Sequence, residues 1–422
     1  MIVELVNTGS ELMCGRALNT HQQWLCRQLA DAGYVVRRQV AVSDEPADIA
    51  AAVRESLGQA DLVITTGGLG PTSDDRTREV IADLLGLKLR ENREVLDQVR
   101  NYFEKRNRPM PERVRVEALV PEGAIILPNR HGTAPGLAVP VPPGRFRPGS
   151  SPAWLLMLPG PPRELQPMFL ESALPLLRRE LRPAVERVCR TVHTCGLGES
   201  LVQERVEPAL SEFVRSGVKI GYCARPGQVD VRLTFAGPGS GDVIARAEQA
   251  LRAALGGHVF GVDDQSLESV LIDLLAAKGR TLAVAESCTG GCLAHRLTNV
   301  PGASRVFVGG FVTYSNELKQ RCLGVDAATL ETHGAVSEPV ALQMAQGARL
   351  AANSHYAIAI TGIAGPDGGT PDKPVGTVFI AFASPERTIA SRKFHPGDRQ
   401  TFKDVTASDA MNELRRLAME NF

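Results

Sequence analysis

Three times along the chain a short apolar run leads directly into a glycine-rich turn. Residues 61–65 run into Gly67, Gly68 and Gly70. Residues 281–285 run into Gly290 and Gly291, and residues 357–360 into Gly362 and Gly365. Runs this short and this apolar read as strands buried on both faces rather than as helices. A strand buried on both faces needs cover on both, so helices must alternate with strands and the pairing is parallel. The fold class is therefore α/β, and the turns lie at the carboxyl ends of strands, where open α/β sheets bind ligands.

At 422 residues, three domains are expected. Residues 1–170 alternate strands at 2–6, 35–42 and 61–65 with helices at 19–32 and 48–57. In the first of these helices Trp24, Leu25 and Leu29 share a face. The Pro- and Gly-dense stretch 137–153 reads as a projecting loop or hairpin, outside the core. Residues 171–260 read as a small α+β unit. Its strands are expected at 188–195, 219–223 and 229–235, with helices at 197–214 and 242–255. Residues 261–422 alternate again. Helices are expected at 267–277, 290–297, 339–352 and 399–419, the last facing inward with Phe402, Val405, Leu414 and Leu417. Strands are expected at 281–285, 306–314 and 356–361, and 376–383 with 388–394 as a strand pair.

Composition excludes several function classes. Apolar residues are 43% and charged residues 22%, so most of the chain can bury a core. Basic and acidic residues balance at 47 each, without the basic excess of a phosphate-neutralising nucleic-acid binder. No run approaches the ~20 apolar residues of a membrane span, and the start, MIVELVNTGSELM, does not read as a signal peptide. Eight cysteines are too sparse for a disulfide scaffold, and a cytoplasmic location with reduced thiols is expected. Cys288 and Cys292 stand four apart on an expected helix, without zinc-site spacing elsewhere; Cys288 is a weak rival nucleophile. His333 is a candidate site wall, and His355 reads as structural.

The chemistry-bearing residues cluster at the turns. In Ala285-Glu-Ser-Cys-Thr-Gly-Gly291 a strand ends and a helix is expected to begin. Ser287 would then sit beside free N–H groups of Cys288, Thr289 and Gly290, suited to an oxyanion. The plainer reading is that Ser287 only caps a helix. Thr313-Tyr-Ser-Asn-Glu-Leu-Lys319 supplies a lysine, which burial would turn into a base, and a phenol, Tyr314, to position substrate or relay a proton. Lys319 as a solvated helix residue is the alternative. Thr361-Gly-Ile-Ala-Gly365 offers a phosphate cradle, and Arg399 a phosphate clamp or a surface ion pair. At the other end, Thr65-Thr-Gly-Gly-Leu-Gly-Pro-Thr-Ser-Asp-Asp-Arg-Thr77 opens the backbone to phosphate at Gly67, Gly68 and Gly70. Thr72 or Ser73 can cap the next helix. Asp74 and Asp75 suit Mg²⁺ or a similar divalent ion, or merely answer a helix dipole.

These motifs carry a resemblance. AESCTGG, TYSNELK, HGAVSEP, TGIAGPDGG, KPVGTV and HPGDR, in that order, resemble the carboxy-terminal domain of the CinA family. That family includes nicotinamide mononucleotide amidohydrolases. The resemblance implies hydrolysis of the carboxamide of nicotinamide mononucleotide to nicotinate mononucleotide and ammonia, without a cofactor. It implies Ser287 and Lys319 as the catalytic pair with Tyr314, and Thr289, Gly290, Thr361, Gly362, Gly365 and Arg399 around the substrate. Lys403 departs from the arginine expected there. Residues 1–170 resemble the molybdopterin-binding fold of MoaB, MogA and MoeA proteins, through Thr8-Gly-Ser-Glu-Leu12, Asn19-Thr20, TGGLGPTSDDRT, His131-Gly-Thr-Ala-Pro-Gly136 and Leu158-Pro-Gly-Pro-Pro-Arg-Glu164. His21 departs from an expected asparagine. This implies a metal-dependent ADP-ribose pyrophosphatase, with Gly67, Gly68, Gly70, Thr72 and Thr77 on the nucleotide and Asp74 and Asp75 on the metal. The middle segment resembles the family's KH-like domain but lacks the G-x-x-G loop of an RNA binder. Small-molecule nucleotides are the expected partners, with a homodimer and without nucleic acid or membrane. Two other readings stand: ADP-ribose hydrolysis as the main activity, or a non-enzymatic nucleotide- or pterin-binding scaffold.

Overall fold

The computed structural model describes residues 1–148, 152–183, 185–420 and 422. It divides into two compact units, residues 1–188 with 236–240, and residues 189–235 with 241–422.

In the first unit the strands are β1 (Ile2–Thr8), β2 (Val35–Val42), β3 (Leu62–Thr66), β4 (Ile125–Leu127), β5 (Gly136–Val141) and β6 (Ala153–Leu158). They form one sheet in the order β2-β1-β3-β6-β5-β4. The β2-β1-β3-β6 part is parallel, as the buried apolar runs require. β5 and β4 join antiparallel. Helices α1 (Thr20–Asp31), α2 (Pro46–Leu57) and α3 (Thr77–Leu84) accompany this sheet. Asn19 caps α1 by accepting the Gln22 N–H, and Leu25 and Leu29 on its inner face are fully buried.

Two expectations change here. Residues 137–141 are not a projecting loop: β5 is a core strand with Leu137 and Val139 buried against Leu155 and Met157. Apolar alternation in Leu-Ala-Val-Pro-Val outweighs the prolines, since Pro140 lies near the strand's end. Residues 149–151 of the same stretch lie outside the described residues. Leu174, Leu176 and Leu177, assigned by sequence to the middle segment, pack in the core of the first unit.

The second unit holds two sheets. Strands β7 (Arg187–Cys195), β8 (Lys219–Arg225), β9 (Gln228–Ala236) and β10 (Val259–Val262) run in the order β8-β9-β7-β10, with helices α4 (Glu199–Arg215) and α5 (Ser240–Leu255). The other sheet comprises β11 (Leu282–Glu286), β12 (Phe307–Val312), β13 (Tyr356–Gly362), β14 (Thr377–Ala383) and β15 (Thr388–Phe394), in the order β12-β11-β13-β14-β15. β11 pairs in parallel with both β12 and β13, while β14 and β15 complete the edge antiparallel. Helices α6 (Leu267–Ala277), α7 (Cys292–Thr298), α8 (Asn316–Leu323), α9 (Glu338–Ala351) and α10 (Arg399–Met419) belong to this sheet. One cluster joins Leu271, Phe402 and Leu414 to Ile358 and Phe382; another joins Met344 and Ala348 to Ala359 and Ala381. Both faces of β11, β13 and β14 are therefore covered, which is why these strands read as continuous apolar runs. No helix among the described residues is long and apolar enough to cross a membrane.

A close approach fixes α9 on α8. A Cβ added at Gly347 would lie 1.9 Å from the carbonyl oxygen of Leu323. In an open helix alanine gains about 1 kcal/mol over glycine. Here a backbone has to move, and overpacking costs about 1–3 kcal/mol, so the clash wins. Gly347→Ala is expected to lower the thermal midpoint; a variant melting with or above the wild type would show that α8 yields freely.

Candidate functional site

The parallel register places three turns side by side. Glu286, the last residue of β11, pairs with Val312 of β12 on one side and Ile360 of β13 on the other. The segments that follow, 287–291, 313–319 and 363–365, thus leave the sheet at one edge. Ser287 remains pinned to the sheet by its N–H, which donates to the Ile360 carbonyl at 2.9 Å.

Lys319 is on the first helical turns of α8, whose start is fixed by Ser315 accepting the Leu318 N–H. It is not solvated: the residue is 1% exposed. Its Nζ donates to the Thr313 carbonyl at 2.9 Å and the Tyr314 carbonyl at 3.3 Å, and lies 3.1 Å from Ser287 Oγ. No carboxylate forms an ion pair with it among the described residues, and burial pulls its pKa below the ordinary lysine value. Two carbonyls can only accept, so they take two N–H bonds. The third direction faces Ser287. In the neutral amine that direction holds the lone pair, and the Ser287 hydroxyl then donates to it. The geometry serves both protonation states.

Ser287 is not a helix cap. Helix α7 begins later, at Cys292, and its first turn is closed by Glu286. This carboxylate is fully buried and accepts from Gly291 N at 3.0 Å, Leu293 N at 3.1 Å and Ala294 N at 2.8 Å. Charge, dipole and orphan donors are satisfied together. Sequence reasoning passed over Glu286; the signal was an acidic residue ending an otherwise apolar strand just before a helix. The Gly290 N–H is also spoken for, since it donates to the Ser287 carbonyl at 3.1 Å. The N–H groups of Cys288 and Thr289 have no oxygen acceptor among the described residues. Burial pushes the Cys288 thiol up to about 12, which removes it as a rival nucleophile. Gly290 and Gly291 take φ of +60° and +94°, values that let the chain turn sharply after Ser287.

Arg399, the first residue of α10, links the other motifs. It donates to the Gly365 carbonyl at 2.8 Å and to the Tyr314 phenol at 2.9 Å. Tyr314 and Arg399 are exposed, and Gly365 lies beneath them in the third turn. Thr289 is buried, and its hydroxyl is without a partner. Thr361 and Gly362 are placed differently from the expectation. The Thr361 hydroxyl is buried and donates to the Ala335 carbonyl at 2.8 Å, so it ties two loops together. Gly362 is small because a Cβ there would meet the Thr377 carbonyl at 2.7 Å. Of His333, the backbone carbonyl is engaged, by Lys373; His355 accepts from the Thr281 N–H at 3.1 Å.

The glycine turn of the first unit borders a cavity of about 510 Å³ at the carboxyl ends of β1, β3 and β6. Gly67, Gly68, Gly70, Asp74 and Asp75 line it. Gly68 has φ +67° and would strike Thr77 Oγ1 if it carried a Cβ. Thr77 itself is buried behind the turn, with Oγ1 3.2 Å from Thr8 Oγ1. Neither Thr72 nor Ser73 caps α3, which starts at Thr77. Instead Asp75 folds back: it accepts the Thr72 N–H at 3.0 Å and the Thr72 hydroxyl, closing a local turn. Among the described residues no three His, Cys, Asp or Glu side chains converge as a metal-binding group. Asp74 and Asp75 lie together on the cavity wall beside the glycine turn. His21 lines the cavity, and burial lowers its pKa.

Glu117, which belonged to no motif, lines the same cavity. It is 1% exposed; one oxygen accepts from Thr133 Oγ1 at 3.2 Å. Burial lifts its carboxyl to about 7.

Comparison with known proteins divides the chain into three family segments. The model for the CinA C-terminal domain matches residues 264–418, that for a damage-inducible protein CinA KH domain matches 189–261, and that for a "Probable molybdopterin binding domain" matches 4–179. A CinA-like protein of Akkermansia muciniphila is 43% identical over 413 residues, covering 98% of this chain and 96% of its own. The chain belongs to the CinA family. Another CinA-like member, from Anaeromyxobacter sp., is 41% identical over 413 residues and covers 98% of both chains. Among solved structures, the competence/damage inducible protein CihA of Agrobacterium tumefaciens is 40% identical. It covers 36% of this chain and 93% of its own, with a TM-score of 0.35.

An acid whose pKa is raised by folding binds its proton more tightly when folded. Its contribution is most favourable below the unfolded value of 4.5 and is lost as pH rises through about 7. Glu117→Gln removes that titration. The variant is expected to melt a few degrees above the wild type at pH 8, with the gap closing toward pH 4.5, as read by thermal unfolding across pH. A gap independent of pH would contradict the burial argument.

Proposed function

We propose that the second unit hydrolyses the carboxamide of nicotinamide mononucleotide to nicotinate mononucleotide and ammonia. The observation that supports this most directly is the Lys319 amine, buried without a counter-ion and 3.1 Å from Ser287 Oγ. Neutral Lys319 takes the Ser287 proton while Oγ bonds to the carboxamide carbon. The carbonyl becomes an oxyanion beside the N–H groups of Cys288 and Thr289. Collapse breaks the C–N bond, and Lys319 returns the proton to the departing nitrogen, releasing ammonia. Water, deprotonated by the same amine, then cleaves the acyl ester and restores Ser287. Arg399 offers its guanidinium to the substrate phosphate, exchanging the Tyr314 phenol for a charged partner.

A second reading concerns the first unit. Its cavity is suited to a nucleotide diphosphate such as ADP-ribose, because the N–H groups of Gly68, Leu69 and Gly70 have no acceptor among the described residues. Such a turn is a ready anion cradle. ADP-ribose turnover with and without Mg²⁺ tests this directly.

Ammonia release from nicotinamide mononucleotide should fall at least about 10³-fold in both Ser287→Ala and Lys319→Ala, the scale of losing a nucleophile or its base. Wild-type rates in either would end the proposal. Because Lys319 must be neutral to act, kcat should rise with pH, with a midpoint below the ordinary lysine value of 10.5. A rate that falls across that limb would assign the base elsewhere.

A further inference from the structure

The cavity of the first unit combines donors and carboxylates. The open N–H groups of Gly68, Leu69 and Gly70 in the glycine turn can only donate. Carboxylates line the rest: Glu11, Asp44, Asp74 and Asp75, with Glu117 from the end of the 3-10 segment Glu112–Ala118 and Glu164 from the helix Pro162–Met168. Among the described residues no Lys or Arg lines the cavity.

The carboxylic wall is built rather than incidental. Asn129 gives one amide hydrogen bond to the Ala134 carbonyl at 2.8 Å and another to Glu164 at 2.9 Å. Its carbonyl accepts the N–H groups of His131 at 3.0 Å and Gly132 at 2.8 Å. This frame holds Thr133, and Thr133 in turn holds one oxygen of Glu117. The other oxygen, Oε2, is shielded from solvent and has no hydrogen-bond partner. A buried polar atom left unpaired is costly, so a partner is expected when the cavity is filled. An oxygen of this kind is satisfied by an O–H or N–H donor.

We infer that Glu117 is a ligand-reading residue of the first unit: its free oxygen accepts a hydrogen bond from a hydroxyl or amine of a phosphorylated ligand whose phosphate rests on the glycine turn. A sugar phosphate has both features, an anion at one end and hydroxyl donors at the other. The inference rests on the nucleotide reading of this cavity and adds the residue that selects among phosphorylated compounds.

The test is calorimetric titration of the full-length protein with ADP-ribose and with ribose 5-phosphate, for wild type, Glu117→Gln and Glu117→Leu, with thermal melting to establish that each variant is folded. Glutamine keeps an acceptor and should bind within about threefold of wild type. Leucine has none and should bind about tenfold or more weakly, the scale of one unmet hydrogen bond. Loss with both ligands identifies a hydroxyl of the ribose phosphate they share as the donor; loss with ADP-ribose alone places the donor on its adenosine half. If folded Glu117→Leu binds like wild type, Glu117 is not a contact and the inference falls alone. If the wild type binds neither ligand, the nucleotide reading falls and takes the inference with it. If Mg²⁺ by itself stabilises the wild type but neither variant, the free oxygen serves a cation and the hydrogen-bond role is wrong.

Discussion

An amine taken out of water without a counter-ion is the constraint on which the second unit depends. Desolvation favours its neutral form, and only fixed dipoles offset the cost of its charged form. The two carbonyls that bind Lys319 come from residues just after β12, and the hydroxyl it faces comes just after β11. Neither could be placed so by a flexible loop. Parallel pairing of β11 with its two neighbours aligns the strand ends, and the covered faces of those strands keep water away.

The two units use the same local device for different ends. In each, an apolar strand stops at a glycine turn whose backbone is left facing outward. In the second unit that opening is mostly filled from within: Glu286 occupies the donors of α7 and leaves two N–H groups beside Ser287. In the first unit the turn stays open, with carboxylates on the turn itself and elsewhere around the cavity.

How far the sequence was legible follows from what each feature depends on. Strand and helix placement depends on periodicity, so 35–42, 267–277 and 399–419 were readable to the residue. The Ser287–Lys319 pair was readable because each stands at a strand-to-helix turn, and parallel pairing alone brings such turns together. Features that depend on three-dimensional neighbours were not. Thr361 and Gly362 look like a ligand loop, yet a carbonyl and a neighbouring strand claim them. Thr72 and Ser73 look like caps, but Asp75 turns back on Thr72. Glu117 carries no local signal, since its significance comes from Thr133, sixteen positions away in sequence. The core strand at 136–141 was obscured by prolines whose position near the strand's end makes them harmless.

The carboxylate closing α7 has a bearing on charge. A bare helix start presents a positive field, which would push away a ring bearing a quaternary nitrogen. With Glu286 seated there that field is offset beside the serine, and burial favours the neutral form of Lys319. For the substrate proposed above, cationic at its ring and anionic at its tail, that offset would ease a head-first approach, with the exposed Arg399 left for the tail.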